Sequence, residues 1–356
     1  MGKPMRVMIA AGGTAGHVIP ALSVAELLAA AGAEVEFAGG DRAESDLVPS
    51  AGFAFHRLDA EGLSRTSLLK ASRAALRAVP AFFSAVRLIR ARRPDVVMGG
   101  GGYVAGIVGA AAVVTRTPLV LTEADSHLGI SNRLIARFAK KVCLAFPLEG
   151  RTASRYVVTG RPVPPAVRDR SSARARFKIP LDATCVLVTG GSLGASSINQ
   201  AAVDAFADSE FEVLHLAGER DFPALTAPRD GYHLLSYIDD FGDAVEACDL
   251  AVARAGGSVF ELASHGTPAV LVPYPQAAGD HQTGNARWME TAGAAVIISD
   301  SRLTADLLRE TVEGILGDRT LLNQMSAASS GLARPQAAAD VAAFVRAAAQ
   351  GPGVKQ

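Results

Sequence analysis

The chain has 356 residues, 35 of them Lys or Arg and 35 Asp or Glu, giving a formal net charge of zero. That length suits two domains, and 49% hydrophobic against 20% charged residues excludes a disordered or fibrous chain. A zero balance argues against nucleic-acid binding by bulk positive charge, yet it averages 20 basic and 12 acidic residues in 1–162 with 15 and 23 in 163–356.

In chain order, runs rich in Val, Ile and Leu predict strands at Arg6–Ala11, Glu34–Ala38, Asp95–Met98, Pro118–Leu121, Val142–Phe146 and Tyr156–Thr159. Strands this apolar are buried on both faces, and the Ala-rich helical stretches between them make parallel crossovers. The first strand runs into Gly12-Gly-Thr-Ala-Gly16, with His17 at the start of a helix. Residues 62–93 carry Arg65, Lys70, Arg73, Arg77, Arg87, Arg90, Arg92 and Arg93, no acid, and interleaved Leu and Phe. This pattern suits an anionic lipid surface, and equally a solvated helix face lying over the sheet. A further glycine run, Gly99 to Gly102, then leads through Tyr103 into an apolar stretch ending at Val114. That stretch is well short of the ~20 residues a spanning helix needs. Val7–Ala11 is likewise too short to open a signal peptide.

Gly160-Arg-Pro-Val-Pro-Pro165 reads as a linker. A second series of strands follows at Cys185–Thr189, Phe211–Leu216, Tyr232–Ser236, Leu250–Ala253, Pro268–Val272 and Ala294–Ile298. Its opening, Thr184-Cys-Val-Leu-Val-Thr-Gly-Gly-Ser-Leu-Gly194, echoes Arg6-Val-Met-Ile-Ala-Ala-Gly-Gly-Thr-Ala-Gly16. Two nucleotide-fold α/β domains, with strand C-termini facing a shared cleft, account for the echo. The expected division is 1–162, 163–334, and a C-terminal helix in 335–356 packing back on the first domain.

Neither loop is G-x-G-x-x-G, and no G-x-x-x-x-G-K-(S/T) is present, which disfavours dehydrogenase and P-loop readings. What remains is backbone N–H at a helix start, suited to phosphate. A positive helix terminus should keep His17 neutral and able to take a proton; the alternative is an exposed helix residue. His56, His215, His233 and His265 lack ligand spacing and read as surface or filler. Cys143, Cys185 and Cys248, odd in number and without C-x-x-C, exclude a disulfide framework or a Cys-based zinc site. Each sits in an apolar run and is expected buried, as in a reducing cytosol. No metal and no cofactor are expected. In the second half Arg254-Ala-Gly-Gly-Ser258 opens a helix whose Glu261 could accept two ribose hydroxyls. Asp280, His281, Gln282 and Asn285 gather at another helix entry, where capping by Asp280 would explain one residue of four.

These motifs together resemble the MurG family of bacterial glycosyltransferases, from the first strand to about residue 330. The resemblance rests on Gly12-Gly-Thr-Ala-Gly-His-Val-Ile-Pro-Ala-Leu22, Gly101-Gly-Tyr-Val-Ala-Gly106, Gly190-Gly-Ser-Leu-Gly-Ala195, Arg254-Ala-Gly-Gly257 and Asp280-His-Gln-Thr-Gly-Asn-Ala286. It implies a two-domain GT-B fold and inverting transfer of N-acetylglucosamine from UDP-N-acetylglucosamine to undecaprenyl-pyrophosphoryl-N-acetylmuramoyl-pentapeptide. On matching positions Ser192 would contact the diphosphate, Ile238 the uracil, Glu261 the ribose and Gln282 the sugar, with Gly257 and Ser258 beside them. Thr14, Ala15, Gly16, Asp125 and Arg161 would complete the donor side. Gly13, Thr14, Gly101, Gly102 and Tyr103 would hold the acceptor pyrophosphate, with His17 as base and Glu123 or Asp125 as second choices. The family usually has Gly at Ala15 and His-Glu-Gln-Asn at Thr122-Glu-Ala-Asp125, and Arg161 stands in for an arginine usually found three residues later. The implied location is the cytoplasmic face of the cell membrane, peripheral, in peptidoglycan synthesis. Rival readings are a UDP-N-acetylglucosamine 2-epimerase and a glycosyltransferase with another lipid acceptor.

Overall fold

The computed structural model describes residues 3–59, 68–166 and 168–350, with side chains of the helix over 68–92 described from Ala78 onward. Contacts divide the chain into one unit of residues 1–164 plus 334–356 and another of residues 165–333.

The first unit begins β1 (Arg6–Ala10), α1 (Ala15–Ala30), β2 (Glu34–Gly39), α2 (Ala43–Ser50), β3 (Ala54–Arg57) and α3 (Leu68–Arg92). It continues β4 (Val96–Gly99), α4 (Gly102–Thr115), β5 (Leu119–Glu123), α5 (Ile130–Ile135), β6 (Lys141–Leu144) and β7 (Tyr156–Val158). These strands form a seven-stranded parallel sheet in the order β3-β2-β1-β4-β5-β6-β7. Alternate residues of β1 go to opposite faces. Met8 and Ala10 join Val97, Leu121 and side chains of α3 and α4, whereas Val7 and Ile9 join Val96, Met98 and α1. Burial on both faces is why these strands read as unbroken apolar runs.

The second unit runs α6 (Arg170–Phe177), β8 (Cys185–Thr189), α7 (Ser196–Ala205), β9 (Glu212–Leu216), β10 (Tyr232–Leu235), α8 (Phe241–Ala247) and β11 (Leu250–Ala253). Then follow α9 (Ser258–His265), β12 (Ala269–Leu271), α10 (His281–Thr291), β13 (Ala295–Ile297), α11 (Ala305–Gly317) and α12 (Arg319–Leu332). Its six-stranded parallel sheet has the order β10-β9-β8-β11-β12-β13. All three cysteines are buried, and the Cys185 and Cys248 sulfurs lie 3.3 Å apart at the foot of this sheet.

Every strand read from an apolar run is present, within two residues at its ends. β3 was not expected. Its sequence Ala-Phe-His-Arg is polar at two of four positions because it is an edge strand, partly open to solvent.

The last helix, α13 (Ala337–Ala349), belongs to the first unit. It lays Val341, Ala342, Val345 and Ala348 on Val18, Ala21, Ala25 and Leu28 of α1 and on strand residues of that face. Val341 is fully buried there. Val341→Ala should cost about 2 kcal/mol of unfolding free energy, read as a lower urea midpoint. Arg346→Ala, on the exposed side of the same helix, should stay within about 0.5 kcal/mol of the parent.

Candidate functional site

In the first unit the loops after β1 and β4 come into direct contact. A Cβ on Gly102 would fall 2.1 Å from Gly12 O, and one on Gly101 2.5 Å from the His17 ring. Gly13, Gly101 and Gly102 have φ of +105°, +101° and +79°, so glycine is required both by conformation and, at 101 and 102, by space. The residues assigned from the sequence to the acceptor and to the base therefore sit together: Gly13, Thr14, His17, Gly101 and Gly102. Tyr103 is the second residue of α4, and its hydroxyl lies against Gly40 after β2.

Thr14 Oγ1 is 3.2 Å from His17 Nδ1. Were Nδ1–H to donate to that hydroxyl, Nε2 would be the nitrogen left to accept a proton. Thr14, at the N-cap of α1, makes no side-chain cap bond. Among the described residues the amides of Thr14, Ala15 and Gly16 meet no protein acceptor, leaving three successive N–H groups at a helix start.

Arg161 is nearly buried, and its Nη2 donates to Gly16 O. The reason lies four residues on. Pro20 inside α1 has no N–H to return to that carbonyl, so the guanidinium supplies the missing donor. Arg161 thus adds positive charge next to the three open amides.

After β5, Glu123 is also buried. Its Oε2 accepts from Gly129 N at 2.8 Å and Asn132 Nδ2 at 2.9 Å, folding the intervening loop around itself. Asn132, which the sequence reading passed over, also donates to Thr122 O at 2.9 Å. Asp125 lies half-buried on the loop so folded.

In the second unit, Gly190–Gly194 follows central strand β8 and opens α7. A Cβ on Gly194, φ +81°, would fall 2.2 Å from Ala217 O, and one on Gly218 2.1 Å from Gly194 N. The loop is thus pressed against the segment after β9, leaving Ser192 exposed at its tip. Beneath it lies a buried polar chain. His215, expected to be surface or filler, is the interior residue of those two alternatives. It is fully buried, with Nδ1 2.8 Å from the Tyr232 hydroxyl and Nε2 3.0 Å from Asn199 Oδ1. Asn199 Nδ2 in turn donates to Ala217 O at 2.9 Å and Asp221 Oδ2 at 3.1 Å. Burial pushes the His215 pKa down to about 4, so the ring is neutral at pH 7 and bonds Tyr232 and Asn199 without charge.

Around the same sheet edge, Ile238 follows β10, Gly257 caps α9, and Ser258 and Glu261 lie in the first turn of α9. Gln282, in the first turn of α10, accepts from Tyr274 N at 2.9 Å through Oε1. Asn285 Nδ2 donates to Ala255 O at 3.0 Å and so holds the loop before α9. Asp280 has left-handed backbone, φ +55°, and its carboxylate accepts from Thr283 Oγ1 at 2.6 Å rather than capping backbone N–H groups. Arg254, quoted in a motif but given no role, ties four segments together. It donates to Val272 O (3.1 Å), Pro273 O (3.3 Å), Asp300 Oδ1 (2.6 Å) and Ser197 Oγ (2.9 Å). Ser192, Ile238, Gly257, Ser258, Glu261 and Gln282 thus all lie at the C-terminal edge of one sheet, while Thr14, Ala15, Gly16, Asp125 and Arg161 belong to the first unit. Among the described residues no group of three or more His, Cys, Asp or Glu could hold a metal ion.

Residues 7–144 match the glycosyltransferase family 28 N-terminal domain, and residues 185–341 the glycosyltransferase family 28 C-terminal domain. A relative from Salinibacter ruber, named UDP-N-acetylglucosamine–N-acetylmuramyl-(pentapeptide) pyrophosphoryl-undecaprenol N-acetylglucosamine transferase, is 40% identical and aligns over 96% of each chain. A protein of the same name from Halorhodospira halophila is 39% identical, covering 97% of this chain and 99% of its own. The crystal structure of MurG from Acinetobacter baumannii matches with a TM-score of 0.78 at 32% identity, over 97% of this chain and 100% of that one.

Desolvation raises the Glu123 carboxyl from 4.5 to about 6, against the opposing bonds from Asn132 and Gly129. A carboxyl with a raised folded pKa is favourable when protonated, and that contribution is lost as pH climbs from 4.5 through 6. The shift corresponds to about 2 kcal/mol once the group is fully ionised. Between pH 4.5 and 7.5 the protein should therefore lose up to about 2 kcal/mol relative to Glu123→Gln, whatever the offset between them. Denaturant titrations at both pH values measure the difference.

Proposed function

We infer, because the chain belongs to the MurG family of glycosyltransferases, that it moves N-acetylglucosamine from UDP-N-acetylglucosamine to undecaprenyl-pyrophosphoryl-N-acetylmuramoyl-pentapeptide. The observation that carries this reading is the pair of glycine loops, one per unit, in a chain that aligns end to end with transferases of that name.

The chemistry would be one in-line displacement. The acceptor hydroxyl attacks the anomeric carbon, the bond to the UDP oxygen breaks, and inversion turns an α-linked donor into a β-linked product. The charge growing on UDP would be met by N–H groups of the Gly190–Gly194 loop and the first turn of α7. Glu261 would accept from the ribose hydroxyls, Ile238 would pack on the uracil, and Gln282 would bond the sugar. In the first unit the open amides of Thr14 to Gly16, beside Arg161, would take the acceptor's pyrophosphate. His17 Nε2 would receive the hydroxyl proton. Glu123 already commits Oε2 to two bonds on its own loop and has Oε1 3.4 Å from Asp125 N, which favours His17 as the base.

The acceptor is a membrane lipid, and the first unit carries a surface suited to one. Val79 and Phe83 of α3 are exposed, as are Ile130, Leu134 and Phe138 at and just after α5. Arg87, Arg90, Arg133 and Arg137 stand among them in the sequence, and α4 packs against both α3 and α5. Leu63 and Arg65 lie outside the described residues, as do the side chains of Lys70, Arg73 and Arg77. No helix among the described residues is long and apolar enough to cross a membrane. A peripheral position on the cytoplasmic leaflet fits this surface.

Release of UDP from UDP-N-acetylglucosamine should depend on the lipid acceptor; formation of UDP-N-acetylmannosamine without acceptor would instead identify an epimerase. His17→Ala should lower turnover ~10²–10⁴-fold with UDP binding retained, as measured by calorimetry, and near-parent turnover would remove the base assignment. Sedimentation with phosphatidylserine vesicles should fall about fivefold for each of Arg87 and Arg90 changed to Gln, at about 1 kcal/mol per charge. Unchanged sedimentation would remove the membrane assignment.

A further inference from the structure

Glu44, in the first turn of α2, is completely buried. Among the described residues it has no cationic partner within salt-bridge distance. Its carboxylate instead divides between two backbones. Oε2 accepts from Gly13 N at 2.8 Å and Oε1 from Gly40 N at 2.9 Å. Those residues follow the neighbouring strands β1 and β2, so one side chain clamps two adjacent loops at the C-terminal edge of the sheet.

The surrounding glycines are shaped to this carboxylate. A Cβ on Gly12 would lie 2.5 Å from Oε1, and one on Gly39 2.7 Å from the Glu44 Cγ. On Gly40 it would lie 3.1 Å from Oε1 and 2.3 Å from the Tyr103 hydroxyl oxygen. Glu44 takes the room at Gly12 and shares that at Gly39 with Phe55 and that at Gly40 with Tyr103.

An unpaired buried acid next to a loop meant for an anion looks like a fault unless the loop has polarity. Gly13 N–H, which the sequence reading offered to the acceptor, is already bonded to Glu44. The open amides begin at Thr14 and end at Gly16, whose carbonyl carries the Arg161 guanidinium. The loop thus has a negatively charged foot at Gly13 and a positive head at Gly16. An anion is repelled from the first and drawn to the second.

We propose that Glu44 is a positioning residue for the acceptor. By holding Gly13 and Gly40 it fixes the loop, and by its charge it directs the acceptor's pyrophosphate to the Thr14–Gly16 amides beside Arg161. The proposal rests on the assignment of the acceptor to the first unit. Glu44→Gln keeps the shape but removes the charge and turns an N–H toward one of the two backbone donors. Glu44→Asp keeps the charge but cannot span both loops, and provides a second variant if the first does not fold.

The test measures both Michaelis constants with a short-chain polyprenyl-pyrophosphoryl-N-acetylmuramoyl pentapeptide and UDP-N-acetylglucosamine, alongside thermal unfolding. Glu44→Gln should raise the acceptor KM at least tenfold with the donor KM within twofold, and Glu44→Asp should fall between it and the parent. A loss of kcat matching a loss of folded protein, with both KM values unchanged, means a merely structural acid and overturns the proposal. An unchanged acceptor KM in Glu44→Gln, when Thr14→Val does raise it, overturns the proposal but leaves the acceptor assignment standing. A rise confined to the donor KM overturns both.

Discussion

A parallel strand buried on both faces has no side on which to carry polar chemistry, so that chemistry collects at its ends. Both sheets of this protein obey the constraint. Their strands carry Val, Ile, Leu and Ala through the middle, and glycines and polar residues gather where β1, β4, β5, β8 and β11 stop. What forms there is mainly backbone, and backbone has to be held in position. The holding groups come from beneath or from afar: Glu44 and Arg161 for the first glycine loop, Glu123 and Asn132 for the loop after β5. Asn199, His215 and Arg254 do the same in the second unit.

Pro20 shows how far such dependence reaches. Its ring withdraws one donor from α1, and the carbonyl left behind is met by an arginine 145 positions later in the chain. Gly16 itself is exposed, so what the bond chiefly fixes is the position of the nearly buried Arg161. The solution also charges the helix start. A local irregularity and an electrostatic feature of the candidate site therefore have one cause.

Much of this architecture was legible in the sequence because its signals are local. Continuous apolar runs gave the strands, and the repeat of strand, Gly-Gly-(Thr/Ser)-x-Gly and helix gave the doubled fold. β3 escaped because an edge strand need not be apolar: Ala54 and Arg57 are exposed and Phe55 and His56 only half-buried. Glu44 escaped for the opposite reason: an acid in a first helical turn looks like an ordinary partner of the helix dipole. Only the fold shows that Gly12 leaves room for it, and that Gly39 and Gly40 leave room for it together with Phe55 and Tyr103. The partners of His215 escaped because Asn199 and Tyr232 stand 16 and 17 residues away with no spacing rule to connect them. Arg161 was noticed as a stand-in for an arginine the family usually has three residues later, whereas its bond to Gly16 follows from a proline elsewhere.

The return of α13 to the first unit has a bearing on how the protein is made. Residues 165–333 form one continuous stretch and can close their core as soon as they leave the ribosome. The first unit is begun earlier but finished later, because the part of its sheet at Met98, Val120 and Cys143 that α13 covers stays open until residues 337–349 arrive. Vectorial synthesis thus leaves that apolar face exposed for more than half of translation. A chain released after residue 333 would carry a complete second unit and an open first one, so a premature stop there would damage the half that was synthesised first.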